Sequence, residues 1–280
     1  INEGLDEPLN IVYCFNDNLP EGGVVNYKQV IKVASNAKLD CREMIINLSD
    51  KNIKFNLVND CLIKEHAVAK FSQQQIASNK IMVWQTNTVK QLANSNYYRL
   101  DWLLGSQISY LSQFIDLAAD DCKCEINAAI DLSQDQQLYC PVEINHLGRN
   151  TVSLQNFCAI AKDQASGVVN SKVNISHSGC GSVAKQVLRG LLLNDQSSLV
   201  MSPELEIDID EVECHHGASV GALDKAGLLY LQSRGFEMNK AKMLMMEALF
   251  KQLFANDSDF YHHGLAQLLL KWTKGVDHGA

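Results

Sequence analysis

The chain has 280 residues, 46% hydrophobic and 20% charged, with 24 Lys and Arg against 32 Asp and Glu and a formal net charge of -8. This composition excludes disorder, and no run of clustered cations is available to coat nucleic acid. A chain of this size buries a core without disulfides or metal, and no apolar run nears the roughly 20 residues of a membrane span.

The expectation is therefore a globular, acidic, cytoplasmic protein with no nucleic-acid and no membrane partner. Nine cysteines, an odd number without a CxxC pair, read as small buried hydrophobes in a reducing compartment. The start, Ile1 to Pro8, carries neither a basic nor an apolar leader segment and no Met, and reads as a processed or trimmed product.

From the N-terminus, strand follows strand. Val25, Tyr27, Gln29, Ile31 and Val33 alternate with polar neighbours at the period of a half-buried strand. The same period returns at Ile53–Leu57, Ile81–Trp84, Cys124–Leu132, Leu138–Ile144, Val173–Ile175 and Leu205–Ile209, separated by short Asn, Ser, Asp and Gly breaks. No helical period interrupts them, which argues against β-α-β units. Asn-Gly and Asp-Gly pairs are missing, so tight hairpins are scarce and a solenoid joined by bends is preferred to a sandwich or barrel. No clean sequence repeat marks its coils.

The last sixty or so residues change character. Leu223, Ala226, Leu229 and Tyr230 recur at helical spacing and end at Arg234-Gly235. Asn239 can cap a second helix carrying Met243, Met246, Phe250 and Leu253, and Asp257 or Ser258 a third carrying Leu265, Leu268, Leu269 and Trp272. The expected fold is mainly β, a parallel β-helix core over residues 1–217 followed by an α-helical domain over residues 218–280 that docks on the core or on a partner.

The densest chemistry lies at the seam, Glu211-Val212-Glu213-Cys214-His215-His216-Gly217-Ala218-Ser219-Val220-Gly221. Gly217 to Gly221 matches G-x-S-x-G, the nucleophile elbow of a serine hydrolase with Ser219 as nucleophile, but that elbow needs later β-α units to supply its partners, and only helices follow. On an extended segment Cys214 and His216 project to one face, where a thiolate and an imidazole suit iron or zinc. Two ligands do not complete a site, so the remainder must come from elsewhere in the chain, from a partner or from sulfide. A third reading makes the chain a purely structural solenoid module with both residues inert. Cys122-Lys123-Cys124, the His177-Ser178-Gly179-Cys180-Gly181 loop, His262-His263 and the methionines Met243, Met245 and Met246 read as packing, bend or solvated surface.

Around this seam the sequence resembles the SufB/SufD family of iron–sulfur cluster assembly scaffolds. The resemblance is carried by Pro203-Glu204-Leu205-Glu206-Ile207, Cys214 to Gly221, Leu223-Asp224 and Leu229-Tyr230-Leu231-Gln232-Ser233-Arg234-Gly235. Gly217 and Leu231 to Gly235 put it on the SufD side of the family. The resemblance implies a right-handed parallel β-helix with a C-terminal helical domain and a non-enzymatic role without ATP hydrolysis. It also implies a SufB partner along the β-helix and a SufC ATPase on the C-terminal helices, with a homodimer open to the chain when isolated. Cys214 and His216 become the interface pair, sharing a nascent cluster or iron transiently with SufB and holding no tightly bound cofactor. Two departures stand out: the family's N-terminal helical region is not seen, and His215 replaces the usual Ser between Cys214 and His216, with positional matching favouring His216 as ligand.

Overall fold

A computed structural model describes residues 1, 7–251, 266–269 and 272 of the chain. It is a right-handed parallel β-solenoid followed by α-helices. The strands alternate between two sheets. β1 (Leu9–Phe15), β3 (Lys38–Asn47), β5 (Val68–Ile76), β7 (Asn96–Leu103), β9 (Lys123–Leu132), β11 (Val152–Ala161), β13 (Val183–Leu192) and β15 (Glu213–Ala222) stack in that order. β2 (Gly23–Val33), β4 (Ile53–Ile63), β6 (Ile81–Gln91), β8 (Ile108–Leu117), β10 (Gln137–His146), β12 (Ser166–Ile175) and β14 (Ser198–Ile207) form the opposing sheet.

The bends explain why hairpin signals are missing. Bends at one corner of successive coils pass through a residue in the left-handed region, and Asn36, His66, Asn94, Asp121, Asn150 and Gly181 form a column of such residues, while Gln134 and Asp163 do the same at the other corner. Each residue of the column donates its backbone N–H to the next coil, as in Asp121 to Arg149 O at 2.9 Å and Gly181 to Glu211 O at 2.8 Å. Asn and Asp tolerate this conformation best among side-chain-bearing residues, and the hydrogen bond between coils offsets its strain. The offset between stacked partners ranges from Met82↔Ile108 to Leu9↔Cys41, so no fixed period survives in the sequence.

Inward residues of both sheets build the main core, including Leu39, Ile63, Phe71, Ile115, Ile126, Ile144, Phe157, Val173 and Leu188. Pro141 lies inside the opposing sheet, where a proline costs a ladder bond. The β8–β10 register accordingly skips Cys140 and Pro141 and resumes at Val142↔Gln113.

The core also contains charge. Arg99 closes a bidentate pair on Asp101 (Nε–Oδ2 2.9 Å, Nη2–Oδ1 2.8 Å), bonds Gln73 Oε1 at 3.0 Å and stands 3.9 Å from Glu43. Gln113 donates to Asp101 and Gln29 to Glu43. Burial raises the Glu43 and Asp101 carboxyls while the guanidinium opposes the rise. Elsewhere His146, fully buried, is held between Thr151 Oγ1 at 2.7 Å and Ser153 Oγ at 2.8 Å, and burial pushes its imidazole down to about 4.

The helices begin at α1 (Lys225–Ser233) and α2 (Met238–Lys251). Asp224 caps α1 through the N–H groups of Ala226 and Gly227. Arg234-Gly235 closes it as the sequence suggests, with Gly235 at φ +91° and the Phe236 N–H reaching Leu231 O at 3.2 Å. α2 starts at Met238, so Asn239 lies in its first turn instead of capping it. Met246 and Phe250 of α2, with Leu268 and Trp272, cover Leu100, Trp102, Ala129, Cys158 and Ile160 on the outer face of the β1–β15 sheet. The suggested caps Asp257 and Ser258, with Leu253, Leu265 and His262-His263, lie outside the described residues.

Candidate functional site

The seam forms the last strand of the solenoid. β15 pairs with β13 over its full length, from Val183↔Glu213 to Leu192↔Ala222, and thus runs past Gly217 before α1 begins. Among the described residues no strand pairs with its other side. Glu213 donates its backbone N–H to Ser182 O at 3.0 Å, so the alternate residues Cys214, His216, Ala218 and Val220 turn their N–H and C=O groups toward the free edge.

The same alternation sets the side chains. Cys214 stands opposite Ala184 and His216 opposite Gln186. Ala184 and Gln186 are fully buried inward residues, so both candidate ligands share the inward face at the end of the stack. Cys214 is half-buried against the core and burial pushes its thiol up, whereas His216 is exposed. His215 faces the other way, with Nε2 3.3 Å from Glu213 Oε1. Among the described residues no group of three or more His, Cys, Asp or Glu side chains is placed to hold a metal ion. Cys214 and His216 thus share one face of β15, with no third such ligand grouped with them among the described residues.

The other candidates separate from this edge. Ser219 sits in the middle of β15 in an extended ladder, where the sharp strand-to-helix turn of a nucleophile elbow is not formed. Cys122 and Cys124 are buried, as are Cys41, Cys61, Cys140 and Cys158. Burial pushes Cys41, Cys61 and Cys158 up to about 12, far from thiolate character. Cys14, by contrast, is exposed, so packing does not account for it. Cys180, in the loop before β13, donates to Glu211 Oε2 at 2.9 Å. The Arg99 cluster was not anticipated, although Arg99 and Asp101 at i and i+2 in a strand share one face, a signal the sequence does carry.

Fold and edge together define a parallel β-solenoid whose terminal strand, among the described residues, presents unpaired backbone beside a thiol and an imidazole. A family model described as SUF system FeS cluster assembly, SufBD core domain, matches residues 16–249. The chain belongs to the SufB/SufD family of iron–sulfur cluster assembly scaffolds. It is similar to the iron-sulfur cluster assembly protein SufD of Plasmodium falciparum, 29% identical over 242 residues, which covers 84% of this chain and 16% of that protein. It is also similar to SufD of Bacillus subtilis, 22% identical over 248 residues, covering 88% of this chain and 56% of that protein. Against SufD of Escherichia coli the identity is 30% over 94 residues, covering 34% of this chain and 22% of that protein. The chain therefore spans roughly half or less of the length of these relatives. Among the described residues no helix is long and apolar enough to cross a membrane.

Proposed function

We propose that the chain is a SufD-type scaffold subunit that supports assembly of nascent iron–sulfur clusters at its contact with a SufB partner. The observation that carries this reading is the coincidence, on β15, of an unpaired edge with Cys214 and His216 on one face. A partner strand added to that edge runs beside both residues and supplies the missing donors.

The cluster is cargo, shared between subunits. His216 offers an imidazole nitrogen from an exposed position. Cys214, raised by burial in the free chain, is deprotonated when iron binds it. The carboxylates Glu211 and Glu213 precede the pair along the chain. The SufC ATPase docks on the C-terminal helices, where Leu229 and Tyr230 of α1 stand exposed. The subunit itself performs no catalysis and works in the cytoplasm, in keeping with nine free thiols.

Anaerobic reconstitution with iron and sulfide beside a SufB partner tests the reading. His216→Ala is expected to remove most of the visible cluster absorption and to fail in complementation, while His215→Ala retains both. Full cluster formation by His216→Ala refutes the site.

A further inference from the structure

The two sheets of the solenoid end differently. β14, the last strand of its sheet, pairs only with β12 among the described residues. Ser198 donates to Ala165 O at 3.0 Å and Asp208 to Ile175 O at 2.9 Å, which fixes the even-numbered residues of β14 as those bonded to β12. The odd-numbered residues Leu199, Met201, Pro203, Leu205 and Ile207 therefore aim their backbone nitrogens at the free edge. At the middle of that row stands Pro203, opposite Ser171.

Proline has no N–H to give, and its ring carbon on the nitrogen fills the space an incoming carbonyl needs. β15 has no such residue anywhere along its free edge. One end of the solenoid thus carries an open strand and a blocked strand side by side.

We infer that Pro203 confines strand addition to β15, so that the SufB-type partner of the reading above continues one sheet of the solenoid and not the other. The inference rests on that reading for the identity of the partner, and on Pro203 alone for the asymmetry. Its consequence is a slot on the β14 side, floored by the inward side chains Pro203 and Leu205 and leading to the face that bears Cys214 and His216. Iron and sulfide can reach a pair of ligands there that a fully closed double sheet would bury.

Amide hydrogen exchange on the chain with and without the SufB-type partner tests this, together with Pro203→Val. In the wild-type complex the amides of Cys214, His216, Ala218 and Val220 are expected to slow, while those of Leu199, Met201, Leu205 and Ile207 keep their free-chain rates. Pro203→Val restores a donor and removes the ring. In that variant the β14 amides are expected to slow as well, and self-association of the isolated chain to tighten about tenfold, as one added hydrogen bond per edge allows. The inference is overturned if wild-type β14 amides slow as much as those of β15 in the complex. It is equally overturned if Pro203→Val, folded by circular dichroism, self-associates like the wild type. A wild-type chain that never engages the partner defeats the proposed function instead, and leaves the self-association comparison to decide the role of Pro203.

Discussion

Trp272 donates its indole N–H to Asp131 Oδ1 at 3.1 Å, across 141 residues of sequence, and so ties the end of the chain to the outer face of β9. Asp131 is almost fully buried there, and the stacked rings of Phe250 and Trp272 lie beside Trp102. Trp272→Phe keeps an aromatic ring, though a smaller one, and removes the donor from a buried carboxylate, a loss of at least about 1–3 kcal/mol. Phe250→Ala opens a cavity in the same cluster at about 3–5 kcal/mol. Both variants are expected to release α2 to limited proteolysis well below the temperature at which the solenoid unfolds. Unchanged cleavage rates at α2 would show that the helices are held by something else.

The pairing of Arg99 with Asp101 leads to a second expectation. Arg99→Met strips the countercharge from Asp101 and Glu43 inside the core, and breaking a buried pair from one side costs about 3–5 kcal/mol. Replacing Arg99, Asp101 and Glu43 together with apolar residues of similar volume is expected to recover much of that loss. Urea unfolding midpoints of the single and triple variants decide the matter. A triple variant no better than Arg99→Met would mean that the surrounding Gln29, Gln73 and Gln113, deprived of their partners, dominate the cost.

His146 makes stability depend on pH. Its folded-state pKa of about 4 lies below the ordinary imidazole value of 6.5, so between those two values the unfolded chain binds the proton and the folded chain does not. Its contribution is fully present above pH 6.5 and is lost as pH falls toward 4, by about 3 kcal/mol in total. The raised carboxyls of Glu43 and Asp101 act in the opposite sense, so the measurement compares wild type with His146→Gln. The wild type should lose more stability between pH 7 and 4.5 than the variant. Equal losses would remove His146 from the account.

Thiol labelling distinguishes the nine cysteines. Cys14, exposed, is expected to react first with iodoacetamide at pH 8, and Cys214, half-buried with its thiol raised, more slowly. Cys124, Cys140 and Cys158 should stay unlabelled until the protein unfolds, which peptide mass spectrometry can follow. Addition of a SufB-type partner is expected to shield Cys214 and leave Cys14 unchanged. Shielding of Cys14 in place of Cys214 would move the contact to the opposite end of the solenoid.

The fold class was legible because the strands that reveal it, such as β10 and the first half of β4, alternate apolar inward and polar outward residues. Other strands were hidden for two physical reasons. In β5, β7 and β13 inward positions are occupied by Gln73, Arg99, Asp101 and Gln186, which invert the expected pattern. In β9 and β11 the runs Ala128 to Leu132 and Phe157 to Ala161 are buried on both faces, because the helices cover the outer one, and so lose their alternation. At the site, the spacing of Cys214 and His216 was enough to put them on one face. What spacing alone could not disclose was that this face belongs to the last strand, because the position of a strand within a sheet depends on every coil stacked before it.

The drifting coil length has a consequence for how this molecule can change. Coils are indexed to one another by their backbone ladders, and a bend lies between each pair of ladders. A residue gained or lost in a bend, for example between Asn194 and Ser197, leaves β13 and β14 stacked on their predecessors as before. The same change within β9 would swap every inward side chain with its outward neighbour from that point to the strand's end. The bends therefore act as expansion joints: length can vary there at the cost of local bonds such as Asn194 Nδ2 to Asp163 O, while the ends of the stack, and whatever they hold, stay in place.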